Sequence, residues 1–483
     1  MKCKRLMAVL IVLVAVLPGA AFACDDNALS RSLERQMTLN RARYGIAGQA
    51  LLVAHDGKVV FQGVDGEADV ETHRRVASGD VFPAYSLAKL FTSTLIMQLV
   101  EKGQVDLNTP ASAYLPGLPV TWRTIAVRDF LDHTSGVPEY FDNRNGAGAA
   151  ADTVFAPDLA DVFTSLADRP MQFAPGTDTR YTQTNYLVLA ALLEARYRKP
   201  YPRIVETRIL DRLGMRHTWL GPAGLPPRGV VTSYIGKEGR LQREQDLAWP
   251  TYAYGHAGLY LTLDDLGRFL RAMSSGELVG KTTLRRLWQP RTLSGGKRGW
   301  FAAGWEYGES DGYRQVGHDG GARVRVRIVF KDSLDDDVHV FAYLTNGSTR
   351  NVWSRVLVDS AMAAAPDQFP AEALSETLVA YALQTPAEGD VQAQARTIRA
   401  NSVLDAADLE RVVNSTGYAV RENLGVDAAL RVFELNTVLF PASANVWDSL
   451  AEAHAAKGNM DKASTLREKA RQLAAPAGDP PWR

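Results

Sequence analysis

The sequence predicts an α+β fold: an antiparallel sheet flanked by helices, a helical lobe inserted into it, and an all-α C-terminal extension. Three observations carry this expectation. Apolar, β-rich runs stand early, at Ala47–His55 and Lys58–Gly63, and again late, at Tyr313–Gly317, Arg323–Phe330 and Val338–Leu344. Between them the apolar periodicity is mainly helical, and beyond Phe369-Pro370 it is helical throughout. A sheet begun near the N-terminus and completed only near residue 345 argues for one two-lobed domain with a cleft between its lobes.

In chain order, Asn27–Tyr44 has a helical pattern closed by Gly45. The first two strands are joined by His55-Asp56-Gly57, and Asp-Gly between such runs is a hairpin signal. From Phe82 to Gly103 a helix is expected to begin at Ser86. Leu90, Phe91, Leu95, Ile96, Met97, Leu99 and Val100 make it apolar all round, which places it inside a domain. Helical patterns follow at Asp106–Tyr114, Val127–Leu131, Pro157–Leu166, Tyr186–Arg196 and Tyr201–Leu213. Leu263–Ser274 is amphipathic with Thr262 as its cap, and Val352–Ala364 is a closing helix.

Ala365-Pro366 and Phe369-Pro370 mark a boundary, dividing the chain into 24–366 and a helical region 367–483. Asp427–Leu439, Val446–Lys457 and Met460–Leu473 carry small residues (Ala451, Ala455, Ala463) at helix-crossing positions. They resemble tetratricopeptide hairpins over about one 34-residue period. Such a tail is expected to cap the main domain or to hold a protein partner.

The chain has 483 residues, 46% hydrophobic and 22% charged, with a formal charge of +0. That balance gives nucleic-acid binding no support, since such binding needs a basic face. Lys2, Lys4 and Arg5 precede an apolar run Leu6–Leu17, then Ala21-Phe22-Ala23, the pattern of a secretory signal over residues 1–23. Its removal takes three positive charges and leaves a net −3. A periplasmic or secreted protein is expected. Cys24 would then be the first residue and, alone, excludes an internal disulfide framework. Membrane attachment is expected only if Cys24 carries a lipid, and the bulky Phe22 argues against that.

Ser86-Leu87-Ala88-Lys89 is the chemical centre of the sequence. Residues three apart on a helix share a face, so Lys89 reaches the Ser86 hydroxyl. Serine needs an adjacent base to become a nucleophile, and a lysine stripped of its hydration can accept the proton. The chain's other Ser-x-x-Lys, Ser294–Lys297, sits in a glycine-rich segment with no apolar helix behind it. Two further stretches bear on Ser86. One is Pro175-Gly176 through Tyr181-Thr182-Gln183, a turn entering an apolar helix. The other is Val316-Gly317-His318-Asp319-Gly320-Gly321, between two strands.

Ser86-x-x-Lys89, Tyr181-x-Gln183 and His318-x-Gly320, in that order, resemble the serine β-lactamases and penicillin-binding proteins. The likeness is greatest to the class C branch with its D-alanyl carboxypeptidase, esterase and D-aminopeptidase relatives. Leu131–Gly136, Pro175-Gly176 and Gly255–Leu259 match the surroundings, and the resemblance covers residues 28–364. It implies a β-lactamase/transpeptidase-like fold and a serine hydrolase that cleaves a β-lactam, D-alanyl peptide or small ester through an acyl-enzyme. By resemblance, Ser86 is the nucleophile, Lys89 the base or proton relay, and Tyr181 the shuttle of the proton to or from the leaving group, its phenolate favoured by the charge of Lys89. The backbone N–H groups of Ser86 and Gly321 form the oxyanion hole. Gln183, His318, Asp319 and Gly320 bind substrate. No metal or organic cofactor is implied, and the partner is a small-molecule or peptide substrate.

Two positions depart from the family pattern: Gln183 replaces Asn and His318 replaces Lys. Both bear on substrate recognition more than on nucleophile activation. A non-catalytic penicillin-recognising or partner-binding scaffold is the alternative reading. His133 and His256 are expected to be structural, and Arg323, Arg325 and Arg327 to line a solvated strand face or a cationic rim. Asp335-Asp336-Asp337 reads as a polar hairpin tip. The sequence has no Gly-x-Ser-x-Gly elbow, no His-Glu-x-x-His and no phosphate loop.

Overall fold

The computed structural model describes residues 20–141, 154–221, 229–245, 247–384 and 390–474. The expected signal segment lies, up to residue 19, outside the described residues. Eight strands form one antiparallel sheet, in the order Arg74–Arg75, Lys58–Asp69, Gly48–His55, His339–Thr345, Val324–Phe330, Tyr313–Gly320, Trp305–Ser310 and Phe301–Ala302. The long-range pair closes it: Gln49 stands opposite Thr345 and His55 opposite His339. Asp56 and Gly57 turn the first hairpin with φ of 47° and 77°, the left-handed pair that matches strand twist.

Alternation along the strands divides the apolar side chains between two cores. Ala50, Leu52, Val326, Val340, Ala342 and Leu344 enter a large core shared with the inserted lobe. Leu51, Val53, Val329, Phe341 and Tyr343 point the other way, against the helices Ala20–Tyr44 and Ser354–Met362. In the large core the helix Ala88–Glu101 is buried at every position from Ala88 to Leu99. Phe91 stacks on Phe269 of the helix Leu263–Ser274 at 4.3 Å. Each such ring contributes roughly 1.5–3 kcal/mol by leaving water. Thr262 caps that second helix, its hydroxyl accepting from the Asp265 N–H at 3.3 Å.

Several expectations are corrected. Asp106–Tyr114 is not a helix; it forms turns with one short 3₁₀ segment, Ala111–Ala113. Pro110 supplies no N–H, and the chain there bridges to Ala126 instead. The strand Trp305–Ser310 and the small sheet of Val81–Pro83, Leu259–Thr262 and Trp219–Leu220 have no counterpart in the reading above. The arginine stripe is neither a solvated face nor a rim. Arg325 and Arg327 are 6% and 5% exposed and pair with Asp319 and Glu306.

The helix Ser354–Met362 lies over that face, and the C-terminal helices pack beyond it and border the pocket that the two arginines line. Pro370–Leu383, Val391–Asn401, Ala406–Leu424, Val426–Leu439, Ala444–Ala456 and Met460–Ala474 build a third core around Val413, Phe433, Leu435 and Leu450. They dock on the sheet's outer layer through the Arg43–Glu376 ion pair and the Trp353 N–H on Asn423 Oδ1 (2.9 Å). The Ala371 N–H adds a bond to Asp311 Oδ2 (3.1 Å). Among the described residues no helix is long and apolar enough to cross a membrane.

Candidate active site

Ser86 sits in a 3₁₀ turn, Tyr85–Leu87, directly before the buried helix. Tyr85 has φ of 48°, a left-handed conformation that costs a non-glycine residue about 1–3 kcal/mol and aims the next side chain into the cleft. One turn on, Lys89 is fully buried. Its Nζ lies 3.3 Å from Ser86 Oγ, 2.6 Å from Gln183 Oε1 and 3.4 Å from the His256 carbonyl. Burial lowers its pKa well below the usual lysine value, and the negative field of Glu139 and Glu306 restores only part of that. A neutral amine has two N–H groups and one lone pair. Two of its neighbours, an amide oxygen and a carbonyl, can only accept, which leaves the lone pair for the Ser86 hydroxyl.

Tyr181 approaches Ser86 from the other side, its hydroxyl donating to Oγ at 2.9 Å. Tyr181 is 37% exposed. Its neighbours hold it: the Thr182 N–H donates to His133 Nδ1 (3.2 Å), and the His133 ring packs on Tyr181 at 4.5 Å. Burial drives the phenol pKa well above 10, with the hydrogen bond to Ser86 opposing. Desolvation disfavours the expected phenolate.

Gln183 uses its extra methylene to bring its side-chain oxygen onto Lys89, while its own N–H donates to Glu139 Oε2 at 2.7 Å. Glu139 also accepts from the Tyr140 N–H at 2.9 Å. It thus fixes the start of the helix Thr184–Tyr197 and faces Lys89 with a negative field. The sequence reading missed Glu139, because nothing local ties it to a helix beginning 45 residues later. His256 remains a structural residue: its carbonyl holds Lys89 and its Nε2 meets the Tyr140 hydroxyl at 2.8 Å.

The third motif lies on the strand Tyr313–Gly320, whose alternation separates its residues. His318 faces the site, 2% exposed, with its ring 5.8 Å from that of Tyr181. Its Nδ1–H donates to the Asp319 carbonyl (2.6 Å), its Nε2 has no partner, and burial lowers its pKa. It is a neutral imidazole behind Tyr181, not a cation at the cleft surface. Asp319, expected to bind substrate, points to the opposite face, where its carboxylate is held by Arg325 and Arg327. A Cβ on Gly320 would come within 2.6 Å of the Ala84 carbonyl, and one on Gly321 within 2.9 Å of the Tyr85 ring. Two glycines let the end of this strand close onto the turn that carries Ser86.

Ser86, Gln183 and Gly321 line a cleft of about 560 Å³ with Phe141, Trp249 and Tyr260. Arg323 also borders it, but its charge is taken by Glu244 and its Nη1 donates to the Tyr85 hydroxyl at 2.7 Å. A serine between a buried amine of lowered pKa and a phenol, in a partly apolar cleft, is equipped for acyl transfer.

Known proteins resemble this chain to different extents. A D-aminopeptidase of Brucella anthropi is 29% identical over 283 residues, 57% of this chain and 52% of its own length. Penicillin-binding protein 4 of Amycolatopsis lactamdurans is 28% identical over 329 residues, 64% of this chain and 82% of its own. The chain thus spans about half the length of the D-aminopeptidases it matches. Among solved structures, an octameric penicillin-binding protein homologue from Pyrococcus abyssi superposes with a TM-score of 0.59. It has 21% identity and covers 73% of this chain and 81% of that one, which shows a common fold. The family model described as Beta-lactamase matches residues 29–360, from the first sheet-covering helix to the last one before the tail, and the chain belongs to that family.

Proposed function

We propose that the protein is a serine hydrolase acting on amides or esters of D-amino acids through an acyl-enzyme on Ser86. The observation that carries this is the hydrogen-bonded series Tyr181–Ser86–Lys89, with Lys89 fully buried and its pKa lowered by that burial. On attack, the Ser86 oxygen bonds to the substrate carbonyl carbon and its proton passes to Lys89. The backbone at Ser86 and Gly321 receives the oxyanion. As the bond to the leaving nitrogen or oxygen breaks, Tyr181 gives that atom its proton and recovers one from Lys89. Water then repeats the sequence on the acyl-enzyme and frees Ser86.

The substrate reading rests on charge. A β-lactam or a C-terminal D-alanyl peptide presents a carboxylate, which asks for a cation near the third motif. Here that position is a buried neutral His318, and Arg323 is already compensated by Glu244. The cleft therefore favours substrates whose leaving group is uncharged, and its D-aminopeptidase relatives support the D configuration. We also propose export, on the signal pattern of residues 1–23.

One experiment reads both proposals. Intact mass of the mature chain after a fluorophosphonate probe is expected to show a single adduct on wild type, none on Ser86→Ala, and a polypeptide starting at Cys24. Turnover of D-alanine p-nitroanilide and a D-amino ester, with benzylpenicillin much slower, supports the substrate class. A folded wild type that takes no adduct would refute the hydrolase reading and favour a binding scaffold.

A further inference from the structure

At the end of the sheet remote from Ser86, three side chains converge that the hydrolytic chemistry does not use. His55 ends one strand and His339 begins its neighbour, directly opposite it. Their rings stack at 4.3 Å and within 7° of parallel. Asp337, two residues before His339, places Oδ1 3.0 Å from His339 Nε2 and 3.6 Å from His55 Nε2. All three ligand atoms fall within 4.8 Å of one another. His55 Nε2 is itself enclosed and has no hydrogen-bond partner.

We propose that His55, Asp337 and His339 form a divalent transition-metal site of the zinc type, which staples two hairpins of the sheet together. Zinc bonds to imidazole nitrogen and carboxylate oxygen are about 2.0–2.1 Å long, so two ligands of a tetrahedral ion stand about 3.3 Å apart. The 3.0 and 3.6 Å separations bracket that edge, while the third pair lies within 4.8 Å and the rings are stacked, so the half-exposed His55 must turn to bring both in-plane lone pairs onto one ion. Two imidazoles and one carboxylate suit zinc, cobalt or nickel better than calcium or magnesium, which take oxygen ligands.

The supporting groups are also in place. Asp337 Oδ2 accepts from the Tyr313 hydroxyl (2.7 Å) and pairs with Lys331 Nζ (2.8 Å), which turns Oδ1 toward the histidines. Lys331 neutralises part of the carboxylate charge. Asp56 Oδ2, 3.6 Å from His55 Nε2, brings a second carboxylate to the site and is within reach as a fourth ligand. The turn bearing Asp56 is fixed by reciprocal bonds with Val338, each 2.9 Å. A metal here would tie the Asp56-Gly57 turn to the start of the strand His339–Thr345. Thr345 borders the cleft, six residues and about 20 Å along that strand.

The test uses the tag-free full chain, freed of metal by chelator, and titration calorimetry with Zn²⁺ alone. One equivalent is expected to bind and to raise Tm, because an ion held only by the folded state stabilises it. His55→Ala removes a half-exposed ligand and Asp337→Asn changes a single atom. Each is expected to weaken binding by at least about tenfold and to abolish the Tm rise, with circular dichroism unchanged. No binding to wild type, or equal affinity in wild type and both variants, would overturn the assignment.

Discussion

Lys89 decides the chemistry of the site by which protonation state burial allows it. It can take the Ser86 proton only when neutral, so activity follows the fraction of neutral amine. That fraction grows as pH rises through the lysine pKa, and burial places this pKa well below 10.5. On the alkaline side Tyr181 must keep its proton, and its pKa is raised well above 10. The expected kcat/KM for an N-acetylated D-amino ester, which has no titrating group of its own, therefore climbs through the lowered Lys89 pKa and then holds a plateau to about pH 10. A profile still rising at the ordinary lysine pKa would show that Lys89 stays charged, and would sink the assignment of base. At this scale the sequence was informative where chemistry is local. Ser86 and Lys89 share one helix face, and Tyr181 stands just before a helix. Glu139 and the inward carbonyl of His256 act across more than forty residues, where no spacing rule reaches.

Individual elements were legible in proportion to their length and periodicity. Leu263–Ser274 was readable to the residue because a strong apolar stripe starts at a capping threonine. The strand Leu259–Thr262, four residues and wholly buried, offers no alternation to read. The arginine stripe was assigned to water because a sequence does not say what later folds over a strand; the partners of Arg325 and Arg327, Asp319 and Glu306, lie on the adjacent strand and on the one beyond it. The most demanding element is the end of the strand Tyr313–Gly320, where backbone meets backbone. Gly320→Ala would set a methyl carbon 2.6 Å from the Ala84 carbonyl, a fixed atom with no rotamer to escape into. The strand must then retreat from the Ser86 turn and take the Gly321 N–H with it. Displacing one oxyanion donor in this way is expected to lower kcat by about 10²-fold or more, with KM changed far less. Unaltered kcat in a folded Gly320→Ala protein would show that Gly321 does not serve the oxyanion.

At the scale of the whole molecule, the active site and the C-terminal helices stand on opposite faces of the same sheet. Ser86, Lys89, Tyr181 and Gln183 take their side-chain hydrogen bonds from one another and from the inserted lobe. The tail meets the layer behind, where Arg325 and Arg327 are buried beside the half-buried Glu306 and Glu372 is pushed up to about 8 by burial and by the charge of Asp359. Ending the chain after Phe369 keeps that ring against Tyr313, His339 and Phe341 but removes the cover over the charged layer. Water already touches the Asp319 and Glu306 carboxylates; it would then reach Arg325 and Arg327 as well and weaken both pairs toward the value of surface pairs, about 0–1 kcal/mol. The truncated protein is expected to melt several degrees lower, yet its Ser86 should take the fluorophosphonate probe at the wild-type rate. Should truncation prevent folding, Glu376→Ala with Asn423→Ala loosens the same junction in the full chain, by removing the Arg43 ion pair and the Trp353 cap. Loss of labelling in either folded protein would make the tail part of the catalytic unit. Retained labelling with a lowered Tm would make it a cover for the sheet, with no part in the chemistry on the other side.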